Sequence, residues 1–227
     1  MDSQAQYGVS IRFVADATGS MAPVLDLVKR DLLTFSPRLS TALAAKGKTI
    51  GKLMVGIDVF RDVFVDGADA FSSSRFFDMA TEQNALQKFV KSIQPLGGGD
   101  EPESGLEGLS LALNATWPND AAKQRHVVVV YTDASAHPLE KAAAMAAQSN
   151  YPPNMPKSFS ELTDRWSAQS MNRNAKRLIL FAPDAYPWTE IAKHWENTVH
   201  YASRAGEGLS EVDSQTILDA IVNSIAV

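Results

Sequence analysis

The sequence of 227 residues predicts an α/β fold, in which a doubly wound, mostly parallel central sheet carries helices on both faces and one antiparallel edge strand. Short apolar runs alternate along the chain with longer segments of helical periodicity, and this alternation is typical of parallel sheets. Residues 127–131 are apolar without interruption, which indicates a strand buried on both sides. The turn-rich sequence at 66–69 joins two strand-like segments and predicts the antiparallel edge.

The individual elements follow from the spacing of apolar residues. A strand is assigned to a short apolar run that ends at turn residues, and a helix to a segment such as 81–93, where Leu86, Phe89 and Val90 share one face. The predicted strands are residues 10–15, 52–60, 74–79, 127–131, 175–181 and 198–201. The predicted helices are residues 21–43, 81–93, 103–113, 160–170, 189–196 and 214–225.

The length favours a single domain over residues 1–227, because one domain commonly takes about 150 residues and no linker-like composition divides this chain. Residues 1–8 are expected to form an N-terminal tail. The stretch 140–174 contains a Pro-rich segment and one helical pattern, and it is expected to be an insertion within the same domain.

Composition excludes several classes of function. The 21 Lys and Arg residues against 26 Asp and Glu give a net charge of −5 without a basic block, so nucleic acid is not an expected partner. The absence of cysteine excludes disulfides, thiolate metal sites and cysteine nucleophiles. The longest apolar run, 126–131, is far shorter than the ~20 residues of a membrane span. Residues 1–6 carry no secretory signal, so a cytoplasmic location is expected.

Three loops rich in oxygen-bearing side chains and glycine occupy residues 16–21, 97–103 and 132–135. The first and third follow strands directly, and ligands of parallel sheets bind beyond the carboxyl ends of the strands. Asp16, Thr18 and Ser20 alternate along the first loop. Together with Asp133 they offer the oxygen ligands that hard divalent cations prefer. The alternative is purely structural, with Asp16 ending the strand and Ser20 capping the next helix.

The same three loops resemble those of von Willebrand factor type A (VWA) domains. Residues 16–21, Asp-Ala-Thr-Gly-Ser-Met, resemble the D-x-[ST]-G-S-M signature of that family. Residues 97–103 resemble the GGGD-x-PE segment of a subset found in matrix proteins such as hemicentins, in the family tied to alpha-kinases and in bacterial stand-alone forms. Residues 132–134 resemble the strand-borne T-D-[AG] of the family. The resemblance covers residues 11–225.

The resemblance implies a metal-ion-dependent adhesion site (MIDAS) that binds Mg²⁺, with Mn²⁺ or Ca²⁺ as alternatives. Thr18 and Ser20 would bind the metal through their hydroxyl groups, and Asp16 and Asp133 mainly through bound waters. Asp100 departs from the Thr that adhesion-type members place in the second loop. Two readings of it stay open: Asp100 binds the metal, or it caps a helix in which Glu103 is the third residue.

The function that the resemblance implies is that of a binding module. The metal would join the top of the sheet to another protein through an acidic or carbonyl ligand, and bacterial relatives suggest a role in stress responses. No enzyme activity is expected, because Ser20 and Ser135 lack the partners of a catalytic serine. Two alternatives stay open: a metal-dependent phosphatase-like enzyme, and a scaffold that binds through residues 151–158 without metal. His137 is expected to be an exposed turn residue.

Overall fold

The computed structural model describes residues 6–97, 101–143, 151–168, 174–207, 209 and 212–226, with the backbone alone for 27–33, 142 and 143. Within these ranges one mixed sheet has the order β3-β2-β1-β5-β6-β7, and β4 also pairs with β2. The strands are β1 (Gln6–Asp16), β2 (Thr49–Phe60), β3 (Phe71–Ser73), β4 (Phe77–Asp78), β5 (Lys123–Tyr131), β6 (Lys176–Pro183) and β7 (Thr198–Ser203). All neighbours are parallel except β3 and β4, which run antiparallel to β2.

Helices cover both faces of the sheet, as the uninterrupted apolar strand predicted. They are α1 (Ala22–Ala45), α2 (Val63–Asp66), α3 (Gln83–Ser92), α4 (Gly105–Asn114), α5 (Leu139–Ala143), α6 (Phe159–Ser167), α7 (Trp188–His194) and α8 (Ser214–Ala226). Helices α1, α3 and α8 enclose one apolar core, and α4, α6 and α7 enclose the other. Alternate residues of β5 enter the two cores, with Val127 and Val129 in the first and Val128 and Val130 in the second.

The amino end of β1 differs from the prediction. The strand begins at Gln6 rather than at residue 10, so residues 6–8 of the expected tail belong to the sheet. Tyr7 lies beside Lys123 of β5 and is buried. The polar character of this end concealed the strand, because an apolar pattern is needed to recognise one.

The antiparallel edge consists of two short strands, β3 and β4, where one strand over 74–79 was predicted. Ser74 separates them, because its backbone N–H donates to Ile57 O and its hydroxyl accepts from Ile57 N. A buried ion pair lies underneath, with Arg12 Nε 2.5 Å from Asp58 Oδ2. Arg12 also donates to Ser74 O, and Ser73 donates to Asp58, so this pair holds the edge against β1 and β2.

The described part of the expected insertion at 140–174 packs onto the domain. Met155 and Pro156 are buried, and Tyr151 donates a 3.0 Å hydrogen bond to Oε1 of Glu107 on α4. Helix α6 ends at Ser167, and the end of the helix predicted over 160–170 lies outside the described residues. Among the described helices, none has the length and hydropathy that crossing a membrane requires.

Candidate functional site

The first and third oxygen-rich loops meet at the carboxyl end of the sheet. Asp16 is the last residue of β1, and a short 3-10 turn at Gly19–Met21 connects it to α1. Asp133 lies two residues beyond β5, which is the parallel neighbour of β1. Parallel neighbours end at the same edge, so the fold itself brings residues 117 positions apart into contact.

Hydroxyl groups link the carboxylates of this site. Thr18 Oγ1 donates to Asp16 Oδ1 at 2.6 Å, and Ser20 Oγ donates to Asp133 Oδ1 at 3.1 Å. The two hydroxyl oxygens lie 3.4 Å apart. From the opposite side, Thr132 Oγ1 donates to Asp16 Oδ2 at 2.8 Å. Four of the five predicted site residues therefore form one cluster, with Asp16, Thr18 and Asp133 buried and Ser20 exposed.

The fifth predicted residue, Asp100, lies outside the described residues. The alternative in which Glu103 belongs to the first turn of a helix is wrong, because α4 begins at Gly105 and Ser104 precedes it. The chain around Glu103 instead runs beside the loop that follows β5. Glu103 N donates to Ser135 O at 3.0 Å, and His137 N donates to Glu103 O at 2.8 Å.

Glu103 is the site residue that the sequence analysis missed. Its side chain lines the same pocket as Thr18, Ser20 and Asp133, and only 4% of its surface is exposed. Its Oε2 atom is buried without a hydrogen-bond partner within the described part of the chain. Buried carboxylate oxygens almost always have a partner, so this atom is a candidate ligand atom for a cation in the pocket. The sequence signal was the Pro-Glu pair at the end of the second loop.

The pocket has a volume of about 250 Å³ and opens between the three loops. Its other lining residues belong to those loops and to the turn after β7: Gly19, Gly97, Glu101, Ala134 and Gly206. The volume accommodates a cation with several waters, because one water occupies about 30 Å³.

Negative charge dominates the electrostatics of the pocket. Burial raises the pKa of Glu103 to about 8, and the nearby carboxylates of Asp16, Asp62, Asp66 and Asp133 add to this rise. Burial also raises the pKa of Asp16 to about 6, although hydrogen bonds from Thr18 and Thr132 oppose the rise. In both cases no positively charged side chain among the described residues compensates the charged form.

The donor set fits a hard divalent cation. Every polar side-chain atom of Asp16, Thr18, Ser20, Glu103 and Asp133 is an oxygen, which is the ligand atom of Mg²⁺, Mn²⁺ and Ca²⁺. Among the described residues, no three carboxylate or imidazole groups are close enough to hold a metal by themselves. A cation site made of the described residues here therefore needs the hydroxyl groups as well as the carboxylates.

Arg61 holds the surrounding loops together. Its guanidinium group donates to three backbone carbonyls, with distances of 3.2 Å to Ala17 O, 2.6 Å to Asp69 O and 2.7 Å to Gln94 O. These carbonyls belong to the first loop, the segment before β3 and the segment after α3. Arg61 thus links the first loop to the segments before β3 and after α3.

His137 lies behind the pocket rather than on the surface. The expectation of an exposed imidazole is wrong, because α2 covers the ring. His137 Nε2 lies 3.2 Å from Asp62 Oδ1, and the ring packs on Phe64 with centroids 4.6 Å apart. Burial lowers the pKa of His137, and Asp62 partly opposes this effect. The helix α2 that creates this environment has four residues and was not predicted.

Comparison with known proteins identifies the family. The family model for the von Willebrand factor A domain matches residues 75–193, more than half of the chain. The chain belongs to the von Willebrand factor A domain family. The matched segment contains Glu103 and Asp133 and begins after the first loop. VWA domains commonly mediate protein–protein interactions and usually bind protein partners.

Individual relatives agree with this assignment. An alpha-protein kinase of Dictyostelium discoideum, vwkA, is 28% identical over 132 residues, which are 58% of this chain and 19% of the kinase. This VWA chain therefore aligns with about a fifth of that relative's length. The minor pilin PilB of Streptococcus sanguinis has a TM-score of 0.55 at 16% identity, covering 100% of this chain and 63% of the pilin. The pilus adhesin SpaC of Lactobacillus rhamnosus GG has a TM-score of 0.54 at 13% identity, and the match covers 98% of this chain and 31% of the adhesin. These structural similarities establish the fold.

Proposed function

We propose that this VWA domain is a metal-dependent protein-binding module. A divalent cation, Mg²⁺ in the first instance, is held by Thr18, Ser20, Asp16 and Asp133 at the carboxyl end of the sheet, and Glu103 completes the site. The bound cation supplies an open coordination position for an oxygen of the partner, either a carboxylate or a backbone carbonyl. No chemical reaction is part of this proposal.

The orphaned Oε2 atom of Glu103 carries the proposal. A buried carboxylate oxygen without a donor costs free energy unless something neutralises it. The pocket beside it is lined by the hydroxyls of Thr18 and Ser20 and by the carboxylate of Asp133. A cation in that pocket removes the cost, and its charge offsets the repulsion among the carboxylates.

Each residue has a distinct role in this proposal. The hydroxyls of Thr18 and Ser20 offer lone pairs to the cation while their protons remain bonded to Asp16 and Asp133. Thr132 fixes the second oxygen of Asp16, so that this carboxylate keeps its orientation. Such supporting hydrogen bonds orient ligands and tune their affinity for the metal.

The first test measures cation binding by the purified domain. Metal is first removed with EDTA, and Mn²⁺ is then added. The electron paramagnetic resonance signal of free Mn²⁺ is expected to decrease as the ion binds, with one bound ion per chain. Mg²⁺ is expected to compete with Mn²⁺ for this site. Both Mg²⁺ and Mn²⁺ should raise the melting temperature, because a ligand of the folded state stabilises it. Ser20→Ala should abolish the effect. Ser92→Ala, which removes an exposed hydroxyl on α3, is the matched control.

The second test separates the binding module from an enzyme. Extract of the cells that produce this chain is passed over the immobilised domain, with Mg²⁺ or with EDTA. A partner retained by the domain and by Ser92→Ala with Mg²⁺, and released by EDTA or Ser20→Ala, supports the proposal. Mg²⁺-dependent hydrolysis of p-nitrophenyl phosphate that is lost in Asp16→Asn would favour the phosphatase alternative.

A further inference from the structure

Strand β7 lies at the edge of the sheet, with β6 on one side and no further strand among the described residues on the other. Its backbone bonds to β6 through alternate residues. Leu178 N donates to Asn197 O at 3.0 Å, and Asp184 N donates to Ser203 O at 3.2 Å. In a parallel ladder, every second residue between these positions points its N–H and C=O groups away from the neighbour. The outward-pointing residues are Thr198, His200 and Ala202.

The outward backbone groups of β7 have no hydrogen-bond partner in the ranges that the structure describes. Side chains cover the strand only in part. None of its six residues is buried, and Val199 is 47% exposed. A row of unpaired N–H and C=O groups on an exposed strand is a template for the backbone of another strand.

The opposite edge of the sheet is protected against such pairing. Its strands β3 and β4 have three and two residues, and an exposed ion pair joins Arg75 and Glu82 beside them at 2.6 Å. Short strands and charged side chains are common means of blocking an edge. Strand β7 has neither, because its sequence Thr-Val-His-Tyr-Ala-Ser is longer and includes no charged residue and no proline. The edge at β7 is therefore the one that can accept a further strand.

The sequence of β7 is complementary to itself when two copies run antiparallel. With His200 of one copy opposite His200 of the other, Thr198 lies opposite Ala202, so all the outward residues form hydrogen-bonded pairs. Val199 then lies opposite Tyr201, and a β-branched residue beside an aromatic ring is a favourable cross-strand pair. Sliding one copy by two residues would leave one outward residue of each strand unpaired.

The charges at the two ends of β7 agree with this register. Glu196 lies two residues before the strand and Arg204 directly after it, and both are exposed. With His200 at the centre, Arg204 of each copy lies near Glu196 of the other, so the ends of the paired strands are complementary in charge. The contact of Arg204 with Glu207 at 3.8 Å is an exposed pair of little energy and does not oppose this arrangement.

We propose that β7 pairs with β7 of a second copy of this chain, so that two sheets join across a two-fold axis at His200. Stable dimers commonly bury about 1,200–2,000 Å², and one short strand contributes only part of that area, so the dimer is weak and forms at high protein concentration. The paired strands run in opposite directions. The pockets at the carboxyl ends of the two sheets therefore face opposite ways, and one dimer presents them to two partners.

The test is sedimentation velocity over a wide range of protein concentration, in EDTA and in Mg²⁺. A sedimentation coefficient that rises with concentration towards the value of a dimer is expected in both buffers, because no residue of the metal site takes part. His200→Pro removes the outward N–H and leaves the hydrogen bonds to β6 in place, as proline does at edge positions. It should weaken the dimer by about thirtyfold, because the central pair loses both of its hydrogen bonds.

His200→Ala is the matched control, because it removes the bond from the imidazole to Ala182 O but keeps the backbone N–H. It should leave the dimer close to that of the unmodified domain. Equal weakening by His200→Ala and His200→Pro would overturn the proposal, since the side chain and not the strand edge would then be responsible. A domain that stays monomeric at every concentration would overturn it as well.

A second pair of variants tests the edge without a change in the backbone. Val199→Lys places a charge on an exposed position that the pairing would cover, and it should weaken the dimer by about tenfold, because the Val199–Tyr201 pair occurs twice. Val65→Lys makes the same change at another exposed valine, on α2, and should have no effect on the dimer. A dimer that tolerates Val199→Lys, or that Val65→Lys weakens equally, would mean that another surface forms it and would overturn the proposal.

Discussion

Thr132 Oγ1 donates a 2.8 Å hydrogen bond to Asp16 Oδ2, although 116 positions separate the two residues in the chain. Asp16 ends β1 and Thr132 directly follows β5, so the bond joins the carboxyl ends of two parallel neighbours. The other oxygen of Asp16 accepts from the hydroxyl and the backbone N–H of Thr18. The Asp16 carboxylate is therefore held from two sides, by Thr132 and by Thr18.

Replacing Thr132 with valine keeps the shape of the side chain and removes this bond. Thr132→Val is expected to weaken Mn²⁺ binding by about tenfold, the lower end of the effect of losing a group that orients a metal ligand. The free energy of unfolding should also fall by about 1–3 kcal/mol, since Ala134 N loses its acceptor too. Thr189→Val on α7 is the control. An unchanged Mn²⁺ affinity of Thr132→Val would mean that Thr132 does not support the metal site.

Replacing Glu103 separates metal binding from folding. Glu103→Gln is expected to raise the melting temperature in EDTA. The folded protein must hold Glu103 either as a buried charge near Asp16 and Asp133 or in its protonated form, and glutamine removes both costs. The additional stabilisation by Mg²⁺ should shrink, because one negative ligand is lost. The two changes have opposite signs, so damage to the fold cannot produce both.

The control for Glu103 is Glu101→Gln. Glu101 lines the same pocket but is exposed, and its Oε2 accepts a 3.3 Å hydrogen bond from Ser135. We expect this substitution to leave the Mg²⁺-dependent stabilisation close to that of the unmodified domain. If both substitutions reduce it equally, the pocket attracts the cation by overall charge and Glu103 has no special place.

Glu107 makes stability depend on pH. Burial raises its pKa from 4.5 to about 7, against the hydrogen bond from Tyr151. The folded protein therefore holds this proton more tightly than the unfolded chain, and stability is lost as the pH rises from about 4.5 to about 7. The loss is on the order of 3 kcal/mol. The free energy of unfolding, measured by urea denaturation at several pH values in this range, should fall less steeply with pH for Glu107→Gln than for the unmodified protein.

The effect of Glu107→Gln is judged from the slope of unfolding free energy against pH rather than from its value at one pH. Asp16 and Glu103 also have raised pKa values, and each adds a slope of the same sign. Tyr151→Phe, which removes the donor to Glu107, is the companion variant. It should lower stability most above pH 7, where the carboxylate is ionised. Parallel curves for the unmodified protein and Glu107→Gln would contradict the assignment.

The buried pair of Arg12 and Asp58 is expected to be strongly coupled. Either Arg12→Met or Asp58→Leu leaves one charge buried without its partner and should cost about 3–5 kcal/mol of unfolding free energy. The double variant should cost much less than the sum, because it leaves no buried charge. Urea denaturation of all four proteins measures the coupling. Additive losses would mean that solvent reaches the pair.

The sequence predicted the sheet because its central strands have no polar face. Val127, Val128, Val129 and Val130 are all fully buried, and a short run of β-branched residues such as this favours a strand between two layers of helices. Tyr7 belongs to the sheet for a different reason. Its place depends on pairing with Lys123, and pairing between distant strands leaves no local pattern in the sequence.

The sequence predicted the part of the candidate site that lies at the carboxyl ends of strands. Asp16 and Asp133 follow strands, and parallel order alone places them at one edge of the sheet. Glu103 was missed because its position depends on the path of the second loop, which pairs with Ala136 in an isolated bridge. His137 was misjudged for a related reason, since Phe64 of the four-residue helix that buries it lies 73 positions earlier in the chain.

Carboxylates gather beyond Asp16 at one end of β1, and the cationic groups of Lys48, Lys123 and Arg125 lie over the Tyr7 ring at the other end. Such a separation gives the molecule an electric dipole along the strands. A body with a dipole rotates in the field of a charged object before touching it, and this raises the frequency of productive collisions. In the field of an anionic surface, such a dipole favours orientations in which the end of β1 at Tyr7 faces that surface.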